Sequence, residues 1–187
     1  MNTPVAAPVD ATPQAAMFDY LDSCHVDMRQ NLVLLRALAQ AIDEDGLTDD
    51  VRASARHLRD WFNDTARQHH MDEEKHVFPD LLAAADAGLT QQVQRLVQDH
   101  GWLEEDWLEI EPSLSAAADG YSWFDPAVLR HAVGVFEQLY LHHMTLEETL
   151  AYPEARQRIS ADAAQAMGVE MARRRALREA QTGARRH

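Results

Sequence analysis

The sequence predicts an all-α protein, an up-down-up-down four-helix bundle with an additional C-terminal helix. Three observations lead there. Strong helix formers (Ala, Leu, Gln, Glu and Arg) dominate the 187 residues, against only seven glycines and seven prolines. Apolar residues recur three and four apart over long stretches, with no alternating strand pattern. Glycines, prolines and capping residues punctuate those stretches at helix length.

The first helix is expected from near Ala15 to Asp43, with Phe18, Leu21, Met28, Leu32, Leu35 and Leu38 on its apolar stripe. Asp43-Glu44-Asp45-Gly46 breaks it. Thr48 reads as the N-cap of a second helix reaching about Val77, with Asp49 and Asp50 well placed at the positive end of its dipole. Pro79 ends or bends that helix, and a short piece continues to Gly88 as a C-terminal stop. Thr90 opens a third helix to about Glu111, before Pro112 and a loop over 112–124. Asp125-Pro126 is a cap followed by proline at the first helical position, so a fourth helix runs from there to about Tyr152, stopped by Pro153. Ser160 caps a terminal helix to about Gln181. The expected organisation is a flexible arm over 1–13, the bundle over 14–155 and a helical, Arg-rich tail over 156–187.

Length allows one domain with its own core. A hydrophobic fraction of 46% and a charged fraction of 26% are ordinary for a soluble globular chain. The single Cys24 rules out an internal disulfide and suits a reducing compartment. No apolar run approaches the roughly 20 residues of a membrane span, and no secretory leader is evident, so a cytoplasmic protein without a membrane partner is expected. The net charge of −14 argues against nucleic acid, because phosphate binding needs a basic face. Arg173, Arg174, Arg175, Arg178, Arg185 and Arg186 make the C-terminus locally basic. They read as a solvated face pairing with the acidic body, or as a docking surface for an acidic protein partner or a second copy in a homo-oligomer.

A shift of 74 residues lays the second helix on the fourth. Ala53, Arg56, His57, Phe62, His69, Glu73, Glu74 and Pro79 then fall on Ala127, Arg130, His131, Phe136, His143, Glu147, Glu148 and Pro153, and Phe78 falls on Tyr152. Chance likeness between helices comes mostly from Leu and Ala, whereas this one is concentrated in His, Glu and Pro. Residues four apart share a helix face, so His69/Glu73 and His143/Glu147 are each a pair able to hold a metal. His70/Glu74 has the same spacing, but its counterpart begins with Met144 and lacks an imidazole. The repeat therefore selects His69, leaving His70 and Glu74 to the surface or to supporting positions.

His25 in the first helix and His100 in the third complete the set. In an antiparallel hairpin His25 and His69 both lie about 30 Å from the connecting turn, hence at one level. Imidazole and carboxylate suit iron, manganese or zinc, and the lack of further thiols disfavours iron–sulfur or thiolate zinc sites.

HHMDEEKHVFP (69–79) and HMTLEETLAYP (143–153), together with His25 and His100, resemble the hemerythrin-like proteins, or HHE cation-binding domains. The resemblance covers most of residues 15–155, and the doubled motif is fairly specific. It implies two non-haem iron ions, one bound by His25 and His69 and the other by His100 and His143. Glu73 and Glu147 would bridge them, with an oxo or hydroxo group between. Oxygen-carrying hemerythrins place a second His one turn after the helix-three ligand, where this chain has Glu104. Two histidines per iron is more similar to bacterial proteins implicated in nitrosative stress and iron-centre repair, without their additional cysteine-bearing N-terminal domain. Glu104 either ligates metal itself or lies on the helix surface beside Glu105 and Asp106.

The expected function is binding or sensing of O2 or NO at a carboxylate-bridged metal pair. The alternatives are an enzyme acting on NO or peroxide or in iron-centre repair under stress, and metal storage or zinc binding. Tyr140, one turn before His143, is a further candidate for hydrogen bonding to a ligand or bound oxygen. His57 and His131 lie about 18 Å along the axis from the motif histidines and read as structural. Cys24 reads as a buried structural thiol, and the four tryptophans as core packing.

Overall fold

The computed structural model describes residues 13–185, so the expected arm over 1–13 lies outside the described residues except for Pro13, which begins the first helix. Five long helical elements form, with no strand among the described residues. Helix α1 is Pro13–Asp45, and the turn after it places Gly46 at a φ of 73°, which only glycine adopts without strain. Helix α2 (49–82) is composite: Asp49–Trp61, a π turn Phe62–Ala66, Arg67–His76 and, after a break at Val77, Phe78–Leu82. Helix α3 is Ala87–Asp119. Helix α4 (126–158) comprises Pro126–Leu146, a π turn Glu147–Ala151 and Tyr152–Arg158, and α5 is Ala161–Arg185. Contacts run α1 to α2, α2 to α3, α3 to α4 and α4 back to α1, closing the antiparallel bundle.

The expected caps form. Thr48 Oγ1 accepts from the Val51 amide, Asp125 accepts from Ala127 and Val128, and Ser160 accepts from Ala163. Three boundaries differ from expectation. Gly88 does not stop a helix: Asp86 caps α3 through the amides of Gly88 and Leu89, so α3 starts before Thr90. Pro112 does not end α3, which continues to Gly120 in the left-handed conformation (φ 84°). The amide that Pro112 lacks would have served the carbonyl of Leu108; both residues are exposed, so water can take that carbonyl. Beyond the proline, Ile110, Leu114, Ala117 and Ala118 keep the buried stripe intact.

Pro153 likewise does not stop α4. The buried series His143, Glu147, Ala151, Ala155 steps by four, which drifts by about 40° per step around an α-helix. The π turn absorbs the drift, with the Tyr152 amide bonding the Glu147 carbonyl. Steps of four from Leu58 to Phe62 to Ala66 accompany the π turn of α2 in the same way.

Two apolar cores fill the bundle. One joins Met28, Leu32 and Leu35 to Phe62, Leu103, Phe136 and Tyr140. The other joins Met17, Phe18 and Leu21 to Phe78, Leu96 and Tyr152. Between them lies a layer of buried polar side chains. Helix α5 closes that flank by packing on α1, with Ala164 and Met171 buried and Arg175 over the Tyr20 ring at 3.8 Å. Arg174 pairs with the fully buried Asp72 and Arg178 with Asp64, so these arginines sit on the chain's own acidic groups. Arg186 and the side chain of Arg185 lie outside what is described.

Arg174→Ala is expected to cost about 2 kcal/mol in urea unfolding, because Asp72 stays buried without its cation. Adding Asp72→Asn should recover most of that loss. An effect below about 0.5 kcal/mol would mean that the pair does not hold α5.

Candidate metal centre

The polar layer is made by one residue from each single-histidine helix and two from each motif helix. His25 follows Leu21 on α1 by one turn, and His100 follows Leu96 on α3 by one turn. His69 and Glu73 come from α2, and His143 and Glu147 from α4. Apart from His100, 6% exposed, these side chains are at most 2% exposed. All four histidines aim Nε2 at the two carboxylates. His25 Nε2 lies 3.2 Å from Glu147 Oε2, and His143 Nε2 lies 3.1 Å from Glu147 Oε1. His69 Nε2 is 3.4 Å from Glu73 Oε1, and His100 Nε2 is 3.5 Å from Glu73 Oε2. Each carboxylate thus turns one oxygen to His25 or His69 and the other to His100 or His143. His100 Nε2 and His143 Nε2 are 3.1 Å apart, about the spacing of two adjacent donors each ~2.1 Å from one metal.

This arrangement leaves an unusual debt of hydrogen bonds. His69 Nε2, Glu73 Oε2 and both Glu147 oxygens are buried without a hydrogen-bond partner. Each such group ordinarily costs about 1–3 kcal/mol, more when charged. Four donor atoms orphaned around one point fit a cation, and among the described residues no cysteine sulfur is grouped with them at ligand spacing. Two sets satisfy metal-ligand spacing and share both carboxylates: His25, His69, Glu73, Glu147 and Glu73, His100, His143, Glu147.

Behind the donors, Nδ1 partners fix the rings. His25 Nδ1 lies 2.9 Å from Glu148, which Arg29 grips with two bonds of 2.8 Å. His100 Nδ1 lies 2.7 Å from Glu74. These distances assign the proton to Nδ1 and leave Nε2 free to donate its lone pair. Tyr152 stacks on His25 and donates its hydroxyl to Glu73 Oε1, while its repeat counterpart Phe78 stacks on His100. The 74-residue repeat therefore reappears as a pseudo-twofold set of supports.

Burial and charge set the protonation of the metal-free cluster. Burial pulls His69 well below the ordinary histidine value, helped by the neighbouring imidazoles. Burial acts the same way on His143, but Glu147 and Asp99 outweigh it and push His143 up to about 9. The carboxylates of Glu147, Glu73 and Glu74 around it likewise outweigh burial and hold His100 well above its usual value. Burial and the nearby Glu147 push Glu73 up to about 7. Glu147 goes the other way: the imidazoles of His143, His100 and His25 overcome its burial and hold it well below the carboxylate range.

The structure brings His25, His69, Glu73, His100, His143 and Glu147 together and leaves Glu104 outside. Glu104 is gripped by Arg67, at 2.8 Å from Nε and through a second, closer bond. The Tyr140 hydroxyl meets His70 Nε2 at 3.2 Å rather than His143. His70 takes the supporting position that the sequence left open to it, rather than the surface. Its ring stacks on His100 at 4.0 Å, and its nitrogen groups with those of His100 and His143. Repeat matching set it aside because Met144 is not a ligand, but its place on the helix next to His69 was a usable signal. Tyr152 and Glu148 were also legible only as repeat partners, not as supports of His25.

The remaining sequence readings divide. Cys24 is buried, as expected, and burial pushes its thiol up to about 11. His57 and His131 lie on the exposed surface instead of being satisfied within the structure, since their helix faces point away from both cores. Of the tryptophans only Trp107 is buried, donating to Asn63 at 2.8 Å; Trp61 is half-buried, and Trp102 and Trp123 are exposed. No helix among the described residues is long and apolar enough to cross a membrane.

A family model described as the hemerythrin HHE cation binding domain matches residues 16–155, the span that supplies the whole polar layer. A protein of Haemophilus influenzae described only as uncharacterized is 28% identical over 165 residues, covering 86% of this chain and 91% of the relative.

Proposed function

This chain belongs to the hemerythrin HHE cation-binding family, and from that premise we propose that it holds two non-haem iron ions and binds or senses O2 or NO there. The observation that carries this reading is the convergence of four Nε2 atoms on two buried carboxylates whose oxygens lack hydrogen-bond partners. His25 and His69 would hold one ion, His100 and His143 the other, with Glu73 and Glu147 bridging. An iron pair bound there would supply one-electron chemistry and Lewis acidity toward a diatomic ligand.

The chain's own residues favour a small, weakly polar ligand. Phe62, Leu103, Trp107, Phe136, Tyr140 and His70 line a narrow cavity beside the His100/His143 side. Its free volume of about 10 Å³ is at the lower limit for a single water, so a diatomic guest would enter only with movement of these side chains, and a larger one is excluded. The Arg67–Glu104 pair stands at its wall. Burial keeps His70 well below the ordinary histidine value, so its ring is neutral and can accept from Tyr140 or donate to a guest.

Metal analysis of the purified protein is the direct test. The expected result is two iron ions per chain, both lost in the combined His69→Ala/His143→Ala variant. Anaerobic reduction followed by O2 or NO should then give a new absorption band that reverses on removal of the gas. A stoichiometry below two, unchanged by the double substitution, overturns the reading; bleaching with turnover shows an enzyme instead.

A further inference from the structure

We propose that the two metal positions are electrostatically unequal, the His100/His143 position being built for the more highly charged ion and the His25/His69 position for the divalent one. This rests on the dinuclear reading above and goes beyond it, because the proposed ligand sets are alike, each with two imidazoles and shared carboxylates. The neutral His70 ring adds no charge to the side it stacks on. The inequality comes from what stands behind the donors.

Three pairs of supports differ between the two sides. Glu74 and Glu148 are repeat partners, each at the Nδ1 of a single-helix histidine. Arg29 neutralises Glu148 through two bonds of 2.8 Å, whereas among the described residues no Arg or Lys lies within salt-bridge distance of Glu74. His100 therefore faces a full negative charge and His25 a balanced pair. The second difference is Tyr152 against Phe78. The Tyr152 hydroxyl donates to Glu73 Oε1, the oxygen beside His69, and drains charge from it; Phe78 has no hydroxyl to do the same for the other side.

The third difference is at the motif histidines. Neither His143 Nδ1 nor His69 Nδ1 has a hydrogen-bond partner. Asp99, 1% exposed with both oxygens unpartnered, nevertheless stands 3.8 Å from His143 Nδ1, whereas among the described residues no carboxylate lies within salt-bridge distance of His69 Nδ1. Carboxylates behind metal-bound imidazoles raise their donor strength. Asp99 acts in the low dielectric of the interior, whereas Glu74, 46% exposed, is partly screened by solvent and acts chiefly through its hydrogen bond to His100. All three differences have the same sign: Glu74 and Asp99 make the His100/His143 side more negative, and Arg29 and Tyr152 make the other side less so. Glu74 and Glu148 are thus positioning residues whose effects on the metals differ because of Arg29.

Iron-loaded protein, its stoichiometry measured first, is poised at an electrode so that one electron enters and one trivalent ion becomes divalent. In Mössbauer spectra of this state, Glu74→Gln should change the ferric doublet and Glu148→Gln the ferrous one. Potentiometry should show Glu74→Gln raising the second one-electron potential by the equivalent of roughly tenfold in the equilibrium constant, about 59 mV. Glu74→Asp should restore it, and Glu148→Gln should move it less. Arg29→Gln, which touches no metal-facing atom, should lower the first potential, and it keeps the test open if Glu74→Gln loses iron. Fewer than two iron ions in the unsubstituted protein overturns both readings. Two ions with equal responses to Glu74→Gln and Glu148→Gln, a ferric doublet answering to Glu148 alone, or no shift with Arg29→Gln overturns the inequality only.

Discussion

Replacing Glu147 with alanine is expected to reduce bound metal from two ions per chain to one or none, with affinity for the pair falling more than about 100-fold. The size follows from its contacts. Glu147 is fully buried, has one oxygen near His25 and the other near His143, and approaches His100 at 3.9 Å. Supporting partners of ligands typically contribute about 10–100-fold in affinity, and a carboxylate that serves both ions exceeds that. Glu73→Ala should behave alike, since its oxygens divide between His69 and His100. Glu148→Gln and Glu74→Gln should retain both ions at weaker affinity, because each touches only an Nδ1 from outside the cluster. Equilibrium dialysis against a graded chelator, followed by metal analysis, measures all four. Equal losses from the inner and outer glutamates would show that the wrong carboxylate of each pair faces the metal.

Metal removal should reverse the pH dependence of stability. In the metal-free protein His143 is raised from 6.5 to about 9, and His100 and His25 are also raised. The folded chain then keeps protons that the unfolded chain releases, so this stabilisation is complete below pH 6.5 and is lost as pH rises to about 9. Glu73, raised from 4.5 to about 7, acts in the same direction at lower pH. His69 and His70 are depressed and act oppositely, but only below 6.5, which makes pH 6.5 to 9 the clean window. His143 alone represents on the order of 3 kcal/mol, or about 10 °C in Tm for a chain of this size. The loaded protein should instead gain stability from acid toward neutral pH and then level off, because metal replaces those protons. Calorimetric scans at pH 6.5, 7.5 and 9 with and without chelator decide it; a metal-free Tm that rises with pH contradicts the protonated cluster.

Much of this architecture was legible because local rules acted alone. Thr48, Asp125 and Ser160 cap helices where their side chains reach amides two or three residues on. His69/Glu73 and His143/Glu147 share helix faces by spacing alone, and the repeat chose between neighbouring registers. The same local rules failed at Pro112 and Pro153. A proline's missing amide ends a helix only if nothing compensates, and there an exposed carbonyl and a π turn do so. Gly88 misled for a similar reason: Asp86, two residues earlier, captures its amide and starts the next helix.

The sequence by itself determined the all-α bundle, the paired motifs and the residue types that converge, because helix periodicity and capping depend on neighbours within a turn or two. Only the tertiary structure decided which partners stand behind the donors. Arg29 meets Glu148 across 119 positions, Tyr152 meets Glu73 across 79, and His70 stacks on His100 from another helix. Those contacts depend on the rotation of each helix about its axis, which the π turns and the packing of the two apolar cores fix together. A one-residue spacing rule cannot foresee a rotation set by the whole bundle.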